Sequence, residues 1–248
     1  MFFVGCNNAK NEKESEMLSN ESKILLQENK LQEAEAIIQK AILLDPNNYV
    51  AYNNRAYLKI KQNKSSEEIL SDYRESLRLK PDYEISLYSL ANYFHEIKDY
   101  KRAIEHAAVY LEYASKNNFD KKLIQNIYGL RGDSKYMSGR FNEAIPDIKM
   151  ALALDSTDAA SHKNLGDCYF DKDSIANAIQ EYTKAITLDS NYYQAYLARA
   201  RSYESSEIPD LLNLAEKDYV SALKINPSAQ DIYETNSPLL KKIKQKIK

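Results

Sequence analysis

The chain has 248 residues, with 34 Lys plus Arg against 36 Asp plus Glu, a formal charge of -2. So even a balance provides no bulk field to attract nucleic acid or an anionic membrane; nucleic acid is not expected as a partner, and any membrane contact would have to be local. Five Gly and six Pro, beside 28% charged residues and 20 Tyr, favour long helices joined by short turns. No run of about 18 apolar residues occurs, so no transmembrane helix is expected. The two cysteines, Cys6 and Cys168, lie far apart and form no disulfide framework.

Residues 1–14 read as a flexible tail. Phe3-Val4-Gly5-Cys6 resembles the end of a bacterial lipoprotein signal, in which a small residue precedes the cysteine that receives diacylglycerol. The polar stretch from Asn7 to Ser15 then reads as a tether. This resemblance implies lipidation at Cys6 and a cell-envelope location, on the periplasmic or surface side, if the true start lies upstream of Met1. Otherwise Cys6 is an ordinary tail cysteine of a cytoplasmic protein.

From Ser15 onward apolar and small residues recur at i, i+3, i+4 and i+7, the spacing of one buried helix face. Ala34, Ile38, Ala41 and Pro46 close a first unit; Ile69, Tyr73, Ser76 and Pro81 close a second, with one extra residue near Lys64. A third shows Leu87, Leu90, Ala91, Phe94, Tyr100, Ala103, Ala107 and Tyr110, its second helix running to Ser115. From Tyr128 the period becomes explicit, because His162 and Tyr196 follow at 34-residue steps. Ala144 pairs with Ala178, Ile148 with Tyr182, Ala151 with Ala185 and Asp155 with Asp189 at that same step. Each unit reads as two amphipathic helices around a short turn such as Ser138-Gly139-Arg140. Gly132, Ala144 and Ala151 are small because antiparallel helices cross closely only where a side chain is minimal. Asn142 is expected to cap a helix that carries Pro146 in its first turn. The last unit has Tyr196, Ala200, Tyr203, Ala215, Tyr219, Ala222 and Pro227, with an insertion at Ile208-Pro209-Asp210. Residues 228–248 are expected to cap the final hydrophobic face, Ser237-Pro238 opening a helix striped by Leu239, Leu240, Ile243 and Ile247.

The unit at 159–192, with Leu165, Gly166, Tyr169, Ala178, Tyr182 and Ala185, resembles the tetratricopeptide repeat family. In this unit His162 replaces the first aromatic and Ser190 the proline. The resemblance implies an all-α, right-handed superhelical solenoid of about six helix-turn-helix repeats over residues 15–227. It also implies a non-catalytic scaffold whose concave face, lined by first helices, binds a protein or peptide. The family's ligand-holding positions map onto Asn53, Tyr57 and Ile60; Tyr88, Asn92 and His95; Gly129, Asp133 and Tyr136; Lys163, Asp167 and Phe170; and Leu197, Arg201 and Glu204. Tyr57, Tyr88, Tyr136 and Phe170 would offer flat apolar faces beside amide and charged groups. The clamp that some members use for acidic C-termini is not matched, since Gly129, Asp133 and Asp167 stand where it needs other residues.

No metal site or cofactor is expected. His95, His106 and His162 are single residues on different helices, and Gly132 and Gly166 belong to helix crossings rather than to a phosphate-cradling loop. Cys168 reads as a small buried side chain. The terminal Lys241, Lys242, Lys244, Lys246 and Lys248 read as a solvated face. A chain of this build could alternatively be a structural subunit that stacks with its own copies through an exposed terminal unit.

Overall fold

The computed structural model of the chain describes residues 2–206, 208–228 and 237–239. Among these, all regular structure is helical, in the order α1 (Phe2–Gln27), α2 (Leu31–Leu44), α3 (Tyr49–Lys61), α4 (Ser66–Leu79), α5 (Glu84–Glu96), α6 (Tyr100–Ala114), α7 (Lys121–Met137), α8 (Phe141–Leu154), α9 (Ala159–Phe170), α10 (Ile175–Leu188), α11 (Tyr193–Ser205) and α12 (Pro209–Ile225). The expected all-α series of six hairpins is present. The chain divides into two compact units, Met1–Lys98 with Glu105–Asn118, and Asp99–Ile104 with Phe119–Lys248.

Local chemistry sets the ends of the helices. Asn48 accepts the Ala51 amide at the start of α3, Ser65 and Glu68 form a reciprocal capping box on α4, and Asp120 accepts from Lys122 and Leu123 on α7. Within five of the hairpins the turn passes through one residue in the left-handed region: Asn29, Asn63, Lys98, Gly139 and Asp173, at φ 58°, 54°, 61°, 73° and 59°. Gly, Asn and Asp tolerate that conformation, whereas Lys98 holds it against the clash of its own Cβ.

In the first unit α1 continues through the stretch that composition marks as a tail. Glu, Lys and Met are good helix formers, and no Gly or Pro interrupts α1 after Gly5. Ser15, Ser19 and Ser22 are buried along one side of α1, where Ser15 Oγ donates to the Ala41 carbonyl at 2.7 Å. The Asn48 amide donates to Ser15 and Ser19, and the Asn54 amide to the Ser19 carbonyl and Ser22 hydroxyl. This polar row fixes α1 on α2 and α3, with Leu25 and Leu26 joining Ala34, Ile38 and Leu58 in a small apolar cluster below it.

Three features repeat from hairpin to hairpin. A second-helix aromatic fills the crossing: Tyr73, Tyr110, Tyr182 and Tyr219 are all buried, and the last three donate their hydroxyls to Glu84, Asp167 and Glu204 of their first helices. Just before three of these aromatics, and before Ile148, stands an acid paired with a first-helix basic side chain. Asp72 takes Arg55 and Lys59, Asp147 takes Arg131 and Lys135, Glu181 takes His162, and Asp218 takes Arg199. Removing Asp147 would destabilise its hairpin, because Arg131 and Lys135 would both be left without their counter-ion. The third feature is the seam between successive hairpins. Within the units, two first-helix positions seven apart are buried there: Ala51 with Leu58, Ser86 with Tyr93, Ser161 with Cys168, and Ala195 with Ser202. Leu58 meets Ala34 and Ile38 of the hairpin before it, and Cys168 meets Ala144 and Ile148.

In the second unit the close crossings fall where small residues stand. A Cβ added at Gly166 would lie 2.5 Å from the Tyr182 ring, and one at Gly132 would lie 2.7 Å from Ile148. Asn142 does not cap α8: the cap position is Arg140, without a side-chain bond, and Pro146 falls in the second turn. Its ring leaves the Asn142 carbonyl without an intrahelical donor on an exposed face, where water can serve it. Of the expected C-terminal cap, Ser237 is buried and Leu239 packs on the Leu197–Tyr219–Leu223 cluster. Leu240, Ile243 and Ile247 lie outside the described residues.

Gly166→Ala is expected to destabilise the chain by about 1–3 kcal/mol through overpacking against Tyr182, and Lys98→Gly to stabilise it by about 1 kcal/mol by relieving left-handed strain. Urea denaturation of both variants tests this, and a Gly166→Ala curve that coincides with wild type would show the crossing is looser than described.

Candidate functional site

In the first unit the first helices of three successive hairpins enclose a groove of 310 Å³. Helix α1 supplies Asn20, Lys23, Leu26 and Gln27; α3 supplies Val50, Asn53, Asn54 and Tyr57; Ile85 and Ser89 come from α5, with Tyr83 at its N-cap. Tyr83 stands edge-on to Tyr49, ring centroids 4.7 Å apart, and burial pushes its phenol up to about 12, so it stays neutral and donating. Asn53 is oriented from behind: its Oδ1 accepts from Ser86 at 3.0 Å, and Ser86 meets Ser76, which in turn donates to the Tyr49 carbonyl. Tyr57 is 40% exposed, with the Lys61 ammonium 5.4 Å from its ring centre. Among the side chains lining the groove there is no carboxylate.

The second unit has a smaller cleft on the corresponding helices α7, α9 and α11, lined by Tyr136, Asp167, Phe170, Asp171, Ala198 and Arg201, with Tyr182 behind them. The Arg201 guanidinium stacks 4.3 Å over the Phe170 ring, and Tyr136 donates to Asp171 at 2.7 Å. Asp167 is buried, accepting from Tyr182 at 2.8 Å and holding the Lys163 ammonium at 2.6 Å. Its carboxyl is nonetheless raised above the ordinary value, because burial outweighs Lys163 and the hydrogen bonds.

The residues mapped from the sequence therefore separate. Asn53 and Tyr57 line the first groove; Tyr136, Asp167, Phe170 and Arg201 meet in the second cleft, with Lys163 on Asp167 and Asp133 accepting from Asn164 at 3.4 Å. Ile60, Asn92 and His95 are half-buried and line neither, and Tyr88 stands edge-on to Tyr110 at 6.5 Å. Leu197 is a correction: it is buried in the α11–α12 core, packed among Ala200, Tyr219 and Leu223, and offers nothing to a ligand. The α1 contribution was missed. Lys23 stands 34 residues before Tyr57, the signal that would have found it.

Cys168 is buried and its thiol is pushed up to about 12 by burial, with Asp167 and Asp171 adding to the effect, so it remains a thiol at neutral pH. Among the described residues no three His, Cys, Asp or Glu side chains are grouped to hold a metal ion. No described helix is long and apolar enough to cross a membrane.

Family models described as tetratricopeptide repeat match residues 15–48, 37–69 and 130–193, the stretches that form α1–α2, the next helices to the start of α4, and α7–α10. The chain is a tetratricopeptide repeat protein. PilF of Pseudomonas aeruginosa superposes with a TM-score of 0.74 at 14% identity, covering 96% of this chain and 99% of that one. PilW, described as a widely conserved type IV pilus biogenesis factor, gives 0.70 at 15%, covering 92% and 97%. YrrB, described as having an unusual peptide-binding site, gives 0.62 at 19%, covering 77% and 93%. At these identities the likeness is one of fold. Among curated proteins, human DnaJ homolog subfamily C member 7 is 24% identical over 128 residues, 52% of this chain but only 24% of that protein. The tetratricopeptide repeat fold is that of a protein-interaction scaffold.

The strained carboxyl gives a pH signature. The folded state binds the Asp167 proton more tightly than the unfolded chain, so its contribution to stability is present in acid, below the ordinary value of 3.8, and is lost as pH rises through the raised value. Asp167→Asn keeps an acceptor for Tyr182. The wild-type minus variant difference in Tm is expected to fall as pH rises from below 3.8, and a constant difference would show that burial does not strain this group.

Proposed function

We propose that the chain is a non-catalytic scaffold that holds an extended peptide segment of a protein partner in the groove between α1, α3 and α5. The observation that carries this reading is the groove's make-up: amides of Asn20, Gln27 and Asn53 stand where a peptide backbone needs partners. Beside them Leu26, Val50, Ile85, Tyr57 and Tyr83 form an apolar bed for one bulky side chain. Asn53 is held by Ser86 before any ligand arrives, which lowers the ordering cost of binding. The second cleft, with Arg201 on Phe170, is a secondary contact for the same kind of partner.

A displayed library of short peptides selected on the full chain tests the reading. Peptides enriched on wild type are expected to bind Tyr57→Ala at least tenfold more weakly and Asn53→Ala more weakly by about 1–3 kcal/mol, with helical content unchanged. Equal binding to the Tyr57→Ala/Asn53→Ala double variant would place capture elsewhere.

We further propose a bacterial envelope setting with a lipid anchor at Cys6, which rests on Phe3-Val4-Gly5-Cys6 followed by a polar stretch. Acyl chains on that thiol would hold the repeat units at a membrane surface. Expression of the gene with its upstream codons, followed by metabolic labelling with a tagged fatty acid, is expected to mark wild type and not Cys6→Ser. An unlabelled wild-type chain would leave the cytoplasmic adaptor as the better reading.

A further inference from the structure

The seam between hairpins shows what an interior first helix looks like at its two seam positions, and α1 departs from it. Counting 34 residues back from Ala51 and Leu58 leads to Met17 and Ile24, which are 60% and 55% exposed although both are apolar and larger than most of their counterparts. Four hairpins bury this pair at seams within their own unit; the first presents it to solvent, and no described residue covers it. We propose that this face of α1 is an interface for a second copy of the chain, with the two α1 helices packed antiparallel about a two-fold axis.

Charge chooses the occupant and the direction. The exposed face continues in helical register through Lys10, Lys13, Met17, Glu21, Ile24 and Glu28, basic at one end and acidic at the other. An antiparallel mate therefore sets Met17 against Ile24 of the second copy and Lys13 against Glu28 of the second copy, with each contact repeated by symmetry. A parallel mate would oppose Lys13 to Lys13. Glu28 now meets Lys30 in a half-exposed contact that is readily exchanged. Head-to-tail stacking would instead require an open apolar face on the last hairpin, and Leu239 already packs there. The pairing closes at two copies, and one helix pair per interface makes it weak, with dissociation in the range of roughly tens to hundreds of micromolar.

Sedimentation velocity of the full chain over about 5–500 µM tests the proposal. The expected result is a reversible monomer–dimer equilibrium that Met17→Lys/Ile24→Lys abolishes within that range, with unchanged far-UV circular dichroism. Lys13→Glu should weaken the dimer about fivefold to tenfold, and Lys13→Glu/Glu28→Lys should restore it, because the two symmetric contacts are re-formed with their signs exchanged. A monomer at every concentration, growth beyond two copies, or a dimer indifferent to the Met17 and Ile24 substitutions would each overturn it.

Discussion

The separation of two helix backbones within a hairpin is the constraint on which the rest depends. At Gly166 the α9 backbone comes so near the Tyr182 ring that no Cβ fits, and at Gly132 Ile148 plays the same part. That closeness lets the Tyr182 hydroxyl reach Asp167 on the opposite helix. It also brings Asp147 within reach of two first-helix cations, Arg131 and Lys135. A larger residue at the crossing would part the backbones, and the bridges would be lost together.

Much of this was legible because period carries geometry. The 34-residue recurrence placed Gly132, Ala144, Ala151 and Gly166 on crossings without knowledge of any contact. The acids before the second-helix aromatics were overlooked because an acid beside an aromatic on a helix usually faces water, and only the pairing across the hairpin shows that Asp72 or Asp218 does not. The stretch before Ser15 read as a tail for a related reason: Asn, Lys and Glu compose both a tether and a solvated helix, whereas the structure runs α1 from Phe2 into the buried serines that begin at Ser15. Leu197 was placed on the ligand face by register alone, whereas the packing around Tyr219 turns it into the core.

The two clefts differ in chemistry although they occupy equivalent helices. The first is bounded by amides, phenols and Lys23, the second by Asp167 and Asp171 with Arg201 over Phe170. One repeat plan thus carries two differently lined clefts, since the crossing constraint falls on the small and aromatic signature positions and leaves the intervening first-helix positions open to vary.

The serine row of α1 bears on its axial placement. Apolar helix contacts degrade gradually when one helix slides along another, because methyl groups find substitute neighbours. Ser15, Ser19 and Ser22 have directional mates in Ala41, Asn48 and Asn54, so a slip by a fraction of a turn breaks these bonds together. The polar row therefore sets the axial position of α1 more sharply than its apolar contacts with α2 and α3 would.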